Sequence, residues 1–276
     1  MTGQLILMKN SFILRLTTAG IALFLASACQ KVIDLDLKSA EPRLAIEGNL
    51  ADDGRPCTVL VSRSTSYTSS NTFPAVSGAV VTLSDDAGAL ETLAETSTPG
   101  TYRGRTITGR AGRRYTLRVE TEGQAFVAAS TLPAPVPLTG LRVEKAGFGD
   151  LIQVMPEFVD PAGVPNYYLF RQYRNGRQNK TLFLQNDELT DGKVNARPLF
   201  GRGDDELDEL VAGDSVRIEM QNIDANVYAY LRTLSQVLQG GNSAAPANPK
   251  SNFSGDVLGY FSAYSVRHRT ALVPQL

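Results

Sequence analysis

The chain has 276 residues, with 27 lysines and arginines balanced by 28 aspartates and glutamates. This near-neutral composition argues against nucleic acid as a partner, because nucleic-acid-binding proteins carry a strongly basic surface. With 42% hydrophobic residues, the chain can bury one large core or two modest ones.

Residues 1–28 have the composition of a secretory signal peptide. Lys9 and Arg15 supply positive charge, and the apolar run that follows is centred on residues 21–25. This run is shorter than the roughly 20 apolar residues that a membrane-spanning helix requires. The motif Leu25-Ala26-Ser27-Ala28-Cys29 is typical of a lipobox. We therefore predict cleavage before Cys29 and lipidation of its thiol; the alternative is an ordinary signal peptide with a cysteine there by chance.

Lipidation would make residues 29–40 a tether to the outer membrane, since a protein that carries two or more acyl chains is anchored stably. Gln30 follows the cysteine, where an aspartate would favour the inner membrane. The sequence leaves open whether Met1 or Met8 is the start, because Met8 places a lysine directly after the initiator.

Residues 41–134 are predicted to form an antiparallel β-sandwich. Apolar or alternating runs recur there about every ten residues, with turn residues between them. In the run 114–120, Tyr115, Leu117 and Val119 alternate with polar residues, so one side of that strand should be buried and the other solvated. The predicted strands cover residues 43–50, 57–63, 78–84, 90–94, 101–105, 114–120 and 124–130.

Three segments of this domain resemble the carboxypeptidase-regulatory, transthyretin-like module: residues 76–83, 100–102 and 112–117. The resemblance implies a seven-stranded, Ig-like sandwich that serves as a structural or docking unit. The polar insertion at 64–75 is either a ligand-binding loop at one end of the sandwich or a long loop without a binding role. We interpret the basic residues as a solvated face, with lipid phosphates or an acidic partner as the alternative; they are Arg103, Arg105, Arg110, Arg113 and Arg114.

A proline-rich linker at residues 135–137 is predicted to lead into a second antiparallel β domain over residues 138–276. An amphipathic helix at about 225–239 should pack on it, capped by Asp224 and ended by Gly240-Gly241. Its apolar positions are Val227, Leu231, Leu234 and Leu238. The predicted strands are 138–145, 151–159, 167–173, 180–185, 215–221 and 257–266, with Asn175-Gly176 as a hairpin turn.

The residues that could carry catalysis or bind metal are few. Cys57 lies in an apparent strand, so we predict a buried, inert thiol. His268, the single histidine, stands between two arginines that oppose a third positive charge. A run of acidic residues has oxygen ligands that suit calcium, but its spacing is more typical of a solvated loop; its members are Asp204, Asp205, Glu206, Asp208 and Glu209. We therefore expect no enzymatic activity, no cofactor and no metal.

Four aromatic residues in one predicted strand are the candidate ligand-binding residues. Strand alternation places Tyr167 and Tyr173 on one face and Tyr168 and Phe170 on the other. One pair should belong to the core, and the other could form a stacking surface for a ligand.

The mature chain as a whole resembles a Bacteroidota outer-membrane lipoprotein family catalogued as domain of unknown function 4249. The segments that carry the resemblance are Cys29-Gln30-Lys31-Val32-Ile33-Asp34-Leu35-Asp36-Leu37, Phe158-Val159-Asp160-Pro161-Ala162-Gly163 with Asn166-Tyr167-Tyr168, residues 246–252, and Leu258-Gly259-Tyr260-Phe261-Ser262-Ala263. Such proteins are typically encoded beside TonB-dependent receptors, which implies an accessory role in import. Surface-exported lipoproteins of that phylum often carry acidic residues directly after the cysteine, whereas here the acidic residues begin only at Asp34. The sequence therefore leaves open which side of the outer membrane the protein faces.

The expected function is that of a non-enzymatic, lipid-anchored partner of a TonB-dependent receptor, which captures substrate or docks on the barrel. The alternative is a structural or adhesive envelope lipoprotein without a transport partner. Gene neighbourhood would separate the two, since a nearby receptor gene favours the first.

Overall fold

A computed structural model describes residues 41–65, 73–147, 151–200, 209–238 and 249–275. The predictions about the signal peptide, Cys29 and the tether lie outside these ranges. So do most of the insertion at 64–75, the acidic positions 204–208, and Gly240-Gly241. In the described part of the chain, no helix is long and apolar enough to cross a membrane.

The fold is mainly β, and all seven strands predicted for residues 41–134 are confirmed. They are β1 (Leu44–Ala51), β2 (Thr58–Arg63), β3 (Val80–Asp85), β4 (Leu90–Glu95), β5 (Thr101–Arg103), β6 (Arg114–Thr121) and β7 (Gln124–Thr131). In β6, Tyr115, Leu117 and Val119 are fully buried, while Arg118 and Glu120 are exposed. The alternation of apolar residues was sufficient to predict these strands because one face of each strand packs on a core.

The second half contributes further strands and one helix, α1 (Ala225–Leu238). The strands are β8 (Gly140–Lys145), β9 (Ile152–Val159), β10 (Tyr167–Arg174), β11 (Arg177–Gln178), β12 (Phe183–Asn186), β13 (Val194–Asn195), β14 (Ser215–Ile223) and β15 (Leu258–Leu272). Asn175 and Gly176 have positive φ angles of 50° and 83°, as the predicted hairpin turn between β10 and β11 requires.

The described strands form two sheets. The larger has 12 strands in the order β11-β10-β14-β15-β1-β2-β5-β4-β3-β6-β7, with β12 also paired to β10. The smaller has the order β13-β9-β8. Most neighbours in the large sheet are antiparallel, but β1 and β15 pair in parallel, with Ile46 opposite Gly259.

The large sheet curls around a first hydrophobic core that includes residues of β15. Phe261 is fully buried beside side chains of β1 to β7, among them Ile46 and Leu117. The two ends of this curl meet where the backbone N–H of Ala263 donates to Ser130 Oγ at 3.0 Å. The C-terminal strand therefore completes the sandwich that residues 41–134 begin.

Two further clusters lie on opposite faces of the β10-β14-β15 region. On one face, Val154 and Phe158 of the small sheet pack on β10 and β14. On the other face, Val227 and Leu231 of α1 pack on residues such as Tyr264. This part of the large sheet is therefore covered on both sides.

Helix α1 begins where the sequence predicts. Asp224 Oδ1 accepts the backbone N–H groups of Asn226 at 2.9 Å and Val227 at 3.0 Å, which satisfies donors that a helix start leaves free. The other carboxylate oxygen accepts the Ser130 hydroxyl and so ties the helix to β7. The prediction that Leu238 faces the core was wrong: its side chain is 67% exposed, whereas Val227 and Leu231 are buried.

The two segments predicted as separate domains share a sheet and a core in the structure. Residues Glu41–Leu276 form one compact unit. Val136, in the predicted linker, is buried in the cluster around Phe158, and the Ala134 carbonyl accepts a hydrogen bond from Asn222. The predicted boundary at 135–137 implies that residues 41–134 and 138–276 fold independently, and this stays a prediction.

Candidate functional site

Of the four aromatic candidates, Tyr168 and Phe170 are the core pair. Both are fully buried, and the Phe158 ring centroid lies 4.8 Å from that of Tyr168 and 6.1 Å from that of Phe170. Their rings are not accessible to a ligand in solution, so they leave the set of candidate binding residues. Tyr167 and Tyr173 remain.

Tyr167 and Tyr173 are half-buried, and each already has a partner. The Tyr167 ring packs on Tyr228 of α1, with centroids 4.9 Å apart. The guanidinium carbon of Arg217 lies 4.0 Å from the centroid of Tyr173, a cation–π geometry. Tyr167 is therefore a contact between sheet and helix, whereas Tyr173 borders open space.

The space beside Tyr173 is a polar groove on the sheet face that carries α1. Arg171 of β10 stands opposite Glu219 of β14, which stands opposite His268 of β15. In the next row, Tyr173 stands opposite Arg217. Directly opposed residues of paired strands point to the same side, so strand register gathers these groups on one face.

Two hollows that share lining residues make up this groove. The first has a volume of about 290 Å³ and the second of about 550 Å³, and both are lined by Arg55 and Glu219. We call the whole concavity the arginine groove, after the five arginines on its walls: Arg55, Arg171, Arg217, Arg267 and Arg269. The acidic residues in its lining are Asp53 and Glu219.

Cations outnumber acids on the walls of the arginine groove. Arg55 pairs with Asp53 at 2.5 Å, and Arg267 pairs with Asp52 at 3.0 Å. Burial raises the pKa of the Tyr264 hydroxyl to about 12, so it stays a neutral donor at physiological pH. Guanidinium and hydroxyl donors around a hollow suit a ligand that presents carboxylate, phosphate or several hydroxyl groups.

The other residues singled out in the sequence lie elsewhere or are exposed. Cys57 is buried, and burial raises the pKa of its thiol to about 12, so the prediction of a buried thiol is confirmed. His268 is an exposed strand residue at the rim of the arginine groove. Among the basic residues of the sandwich, Arg113 pairs with Asp85 at 3.0 Å, and Arg103, Arg105, Arg110 and Arg114 are exposed. Glu209, the described member of the acidic run, is also exposed.

A second polar cluster escaped the sequence analysis. Asp160, Asp187 and Asp191 each place a carboxylate oxygen within 4.8 Å of the others. Burial raises the pKa of Asp160, the negative charges of the other two aspartates raise it further, and the hydrogen bond from Tyr168 opposes both. Because the three residues come from two separate loops, no single stretch of sequence shows them together.

Comparison with known proteins identifies the family of the chain. Among curated proteins, the search found no match. The family described as Domain of unknown function (DUF4249) matches residues 30–270, which include every strand of the larger sheet except the end of β15. The chain is therefore a member of the DUF4249 family.

Proposed function

We propose that the protein is a non-enzymatic outer-membrane lipoprotein that captures substrate for a TonB-dependent receptor. The arginine groove carries this proposal: it is a concave, cationic surface, and cross-strand register places Arg171 and Arg217 of its lining on one face of the sheet. The lipobox at Cys29 supplies the anchor. The partner is inferred from the family resemblance, because such proteins are typically encoded beside TonB-dependent receptors.

The chemistry of the groove fits capture rather than conversion of a ligand. Arg217 is held on the Tyr173 ring, and Glu219 accepts a hydrogen bond from the Gln221 amide at 2.7 Å. A guanidinium held in place in this way can bind an anionic or hydroxyl-rich group without a large entropic cost. A ligand held in the groove would be exposed on one side, where a receptor could receive it.

Replacing Cys29 with serine should remove the lipid anchor, so that any variant protein whose signal peptide is cleaved is released from the membrane. Serine removes the thiol to which the acyl chains attach, and a protein without acyl chains lacks the anchor. Fractionation followed by immunoblotting is expected to show the wild type in the membrane pellet and the cleaved Cys29→Ser protein in the soluble fraction. Cys57→Ser is the matched control and should stay in the pellet. A Cys29→Ser protein that remains fully processed and membrane-bound would overturn the anchor.

Co-purification tests the receptor partnership. The full-length protein with a C-terminal tag, extracted from membranes in detergent, should bring down a TonB-dependent receptor identified by mass spectrometry. If the groove mediates the contact directly or through its substrate, Arg217→Glu should reduce recovery at least about tenfold, since a central interface arginine is often a hot spot. Arg103→Glu, the same charge change on the exposed face of the sandwich, should have no effect. Recovery of the wild-type protein without a receptor would favour the structural or adhesive alternative.

A further inference from the structure

The three aspartates lie where two loops meet, away from the arginine groove. Asp160 follows β9, whereas Asp187 and Asp191 belong to the loop between β12 and β13. The backbone N–H of Gly163 donates to Asp191 Oδ1 at 2.7 Å, and that of Asn166 donates to Asp187 Oδ2 at 2.6 Å. These bonds hold the two loops, residues 160–166 and 187–193, against each other.

Asp160 has a buried carboxylate oxygen that lacks a well-formed hydrogen bond with the described residues. The residue is only 1% exposed, and its Oδ1 accepts the Tyr168 hydroxyl. Its Oδ2 is fully buried and has no hydrogen bond of normal geometry with any described residue, although the backbone N–H of Gly192 is close enough to lower the pKa of this carboxyl. Buried polar atoms in folded proteins almost always have a partner, and an unpaired carboxylate oxygen is among the costliest to bury.

The cluster also lacks an ion-pair partner among the described residues. In the described part of the chain, no lysine or arginine forms an ion pair with Asp160, Asp187 or Asp191. Three carboxylates at this spacing repel one another, and the protein places one of them in its interior. A bound cation would satisfy the unpaired oxygen and neutralise the repulsion in one step.

We propose that Asp160, Asp187 and Asp191 bind a calcium ion. Calcium prefers oxygen ligands at about 2.3–2.6 Å, so two ligands of one ion lie at most about 5 Å apart, and three oxygens within 4.8 Å of one another can share one ion. Magnesium usually keeps several water ligands and is held by only one or two carboxylates, whereas calcium accepts a larger set of carboxylate ligands such as these three. The expectation from sequence that the chain binds no metal is replaced by this proposal.

The ion would fasten the small sheet to the large one. Asp160 N–H donates to the Lys193 carbonyl at 2.9 Å beside the β9–β13 pairing, and Tyr168 on β10 is linked to Asp160 directly. A divalent ion shared by both loops would therefore join the ends of β9, β10, β12 and β13. The expected consequence is a fold that calcium stabilises against unfolding.

Terbium luminescence provides a test on the full-length protein in detergent. Terbium occupies calcium sites, and a nearby tyrosine sensitises its emission; Tyr168 is positioned for this, and the chain has no tryptophan. We expect saturable emission with one ion per chain, displaced by calcium. Asp191→Asn should weaken affinity about tenfold or more, because affinity follows the number of charged ligands. Glu188→Gln, an exposed charge change in the same loop, should leave affinity unchanged.

Each result of these measurements either supports the calcium site or overturns it. Asp191 is exposed, so its variant should fold, and circular dichroism with a thermal melt verifies this. The proposal requires that calcium raise the unfolding midpoint of the wild type and of Glu188→Gln but not of Asp160→Asn. Absence of saturable binding at millimolar calcium would overturn the site, as would equal affinities in Asp191→Asn and the wild type. Displacement of terbium by magnesium as readily as by calcium would overturn the choice of ion.

Discussion

Replacing Gly259 with alanine is expected to destabilise the whole fold by about 3 kcal/mol or more. Gly259 has a φ angle of +97°, which a residue with a side chain rarely adopts. An alanine Cβ at this position would lie 2.7 Å from the carbonyl carbon of Ile46 and would overlap its oxygen. The clash falls within the parallel β1–β15 pairing, so neither strand can move without breaking the ladder. Urea denaturation followed by circular dichroism measures the loss.

Gly78→Ala is the matched control for this prediction. Gly78 also has a positive φ, of +76°, but a Cβ there would meet no atom within 4 Å. The substitution should therefore cost only the backbone strain, about 1 kcal/mol. Similar losses in the two variants would show that conformational strain, and not the packing of β15 on β1, determines the cost at Gly259.

The strands of the first sandwich and the cap of α1 were predictable because their signals are local. Alternation in β6 reports which face is buried, and Asp224 is followed directly by the apolar positions of the helix. Leu238 shows the limit of the same reasoning. Periodicity assigns a residue to a helix face, but it does not reveal where the surface beneath that face ends.

The place of β15 was not predictable from local pattern. Its pairing with β1 is parallel and joins residues more than 200 positions apart, and no turn chemistry in the chain marks such a contact. An antiparallel hairpin such as β6–β7 is marked by its turn, here Glu122 and Gly123 with positive φ. The sequence therefore predicted two separate β domains, whereas strands of both segments belong to one continuous sheet of 12 strands.

The candidate site residues divide in the same way: local pattern marks some of them, and only the tertiary structure brings the others together. Alternation separated Tyr168 and Phe170 from Tyr167 and Tyr173, and the structure shows which pair is core. The arginine groove depends on the register between β10, β14 and β15, and the aspartate cluster on the meeting of two loops. Both are products of tertiary structure, which single-sequence patterns do not encode.

Phe158→Ala should destabilise the protein by about 3–5 kcal/mol, the usual cost of truncating a buried phenylalanine. Phe158 is fully buried between the small sheet and the rings of Tyr168 and Phe170. Truncation leaves a cavity that strands of two different sheets cannot close together. Val159→Ala is the matched control, because the next residue of β9 points outward and is 54% exposed. Its effect on the urea midpoint should be small.

The form of the unfolding transition in these variants tests how the two halves cooperate. Phe261 on β15 belongs to the first core, while the same strand pairs along β14, whose Ile218 belongs to the core around Phe158. Because one strand serves both cores, Phe158→Ala and Gly259→Ala should shift a single common transition. If instead two transitions appear, and each variant shifts only one, residues 41–134 and 138–276 fold as separate domains, and β15 is merely docked on the first.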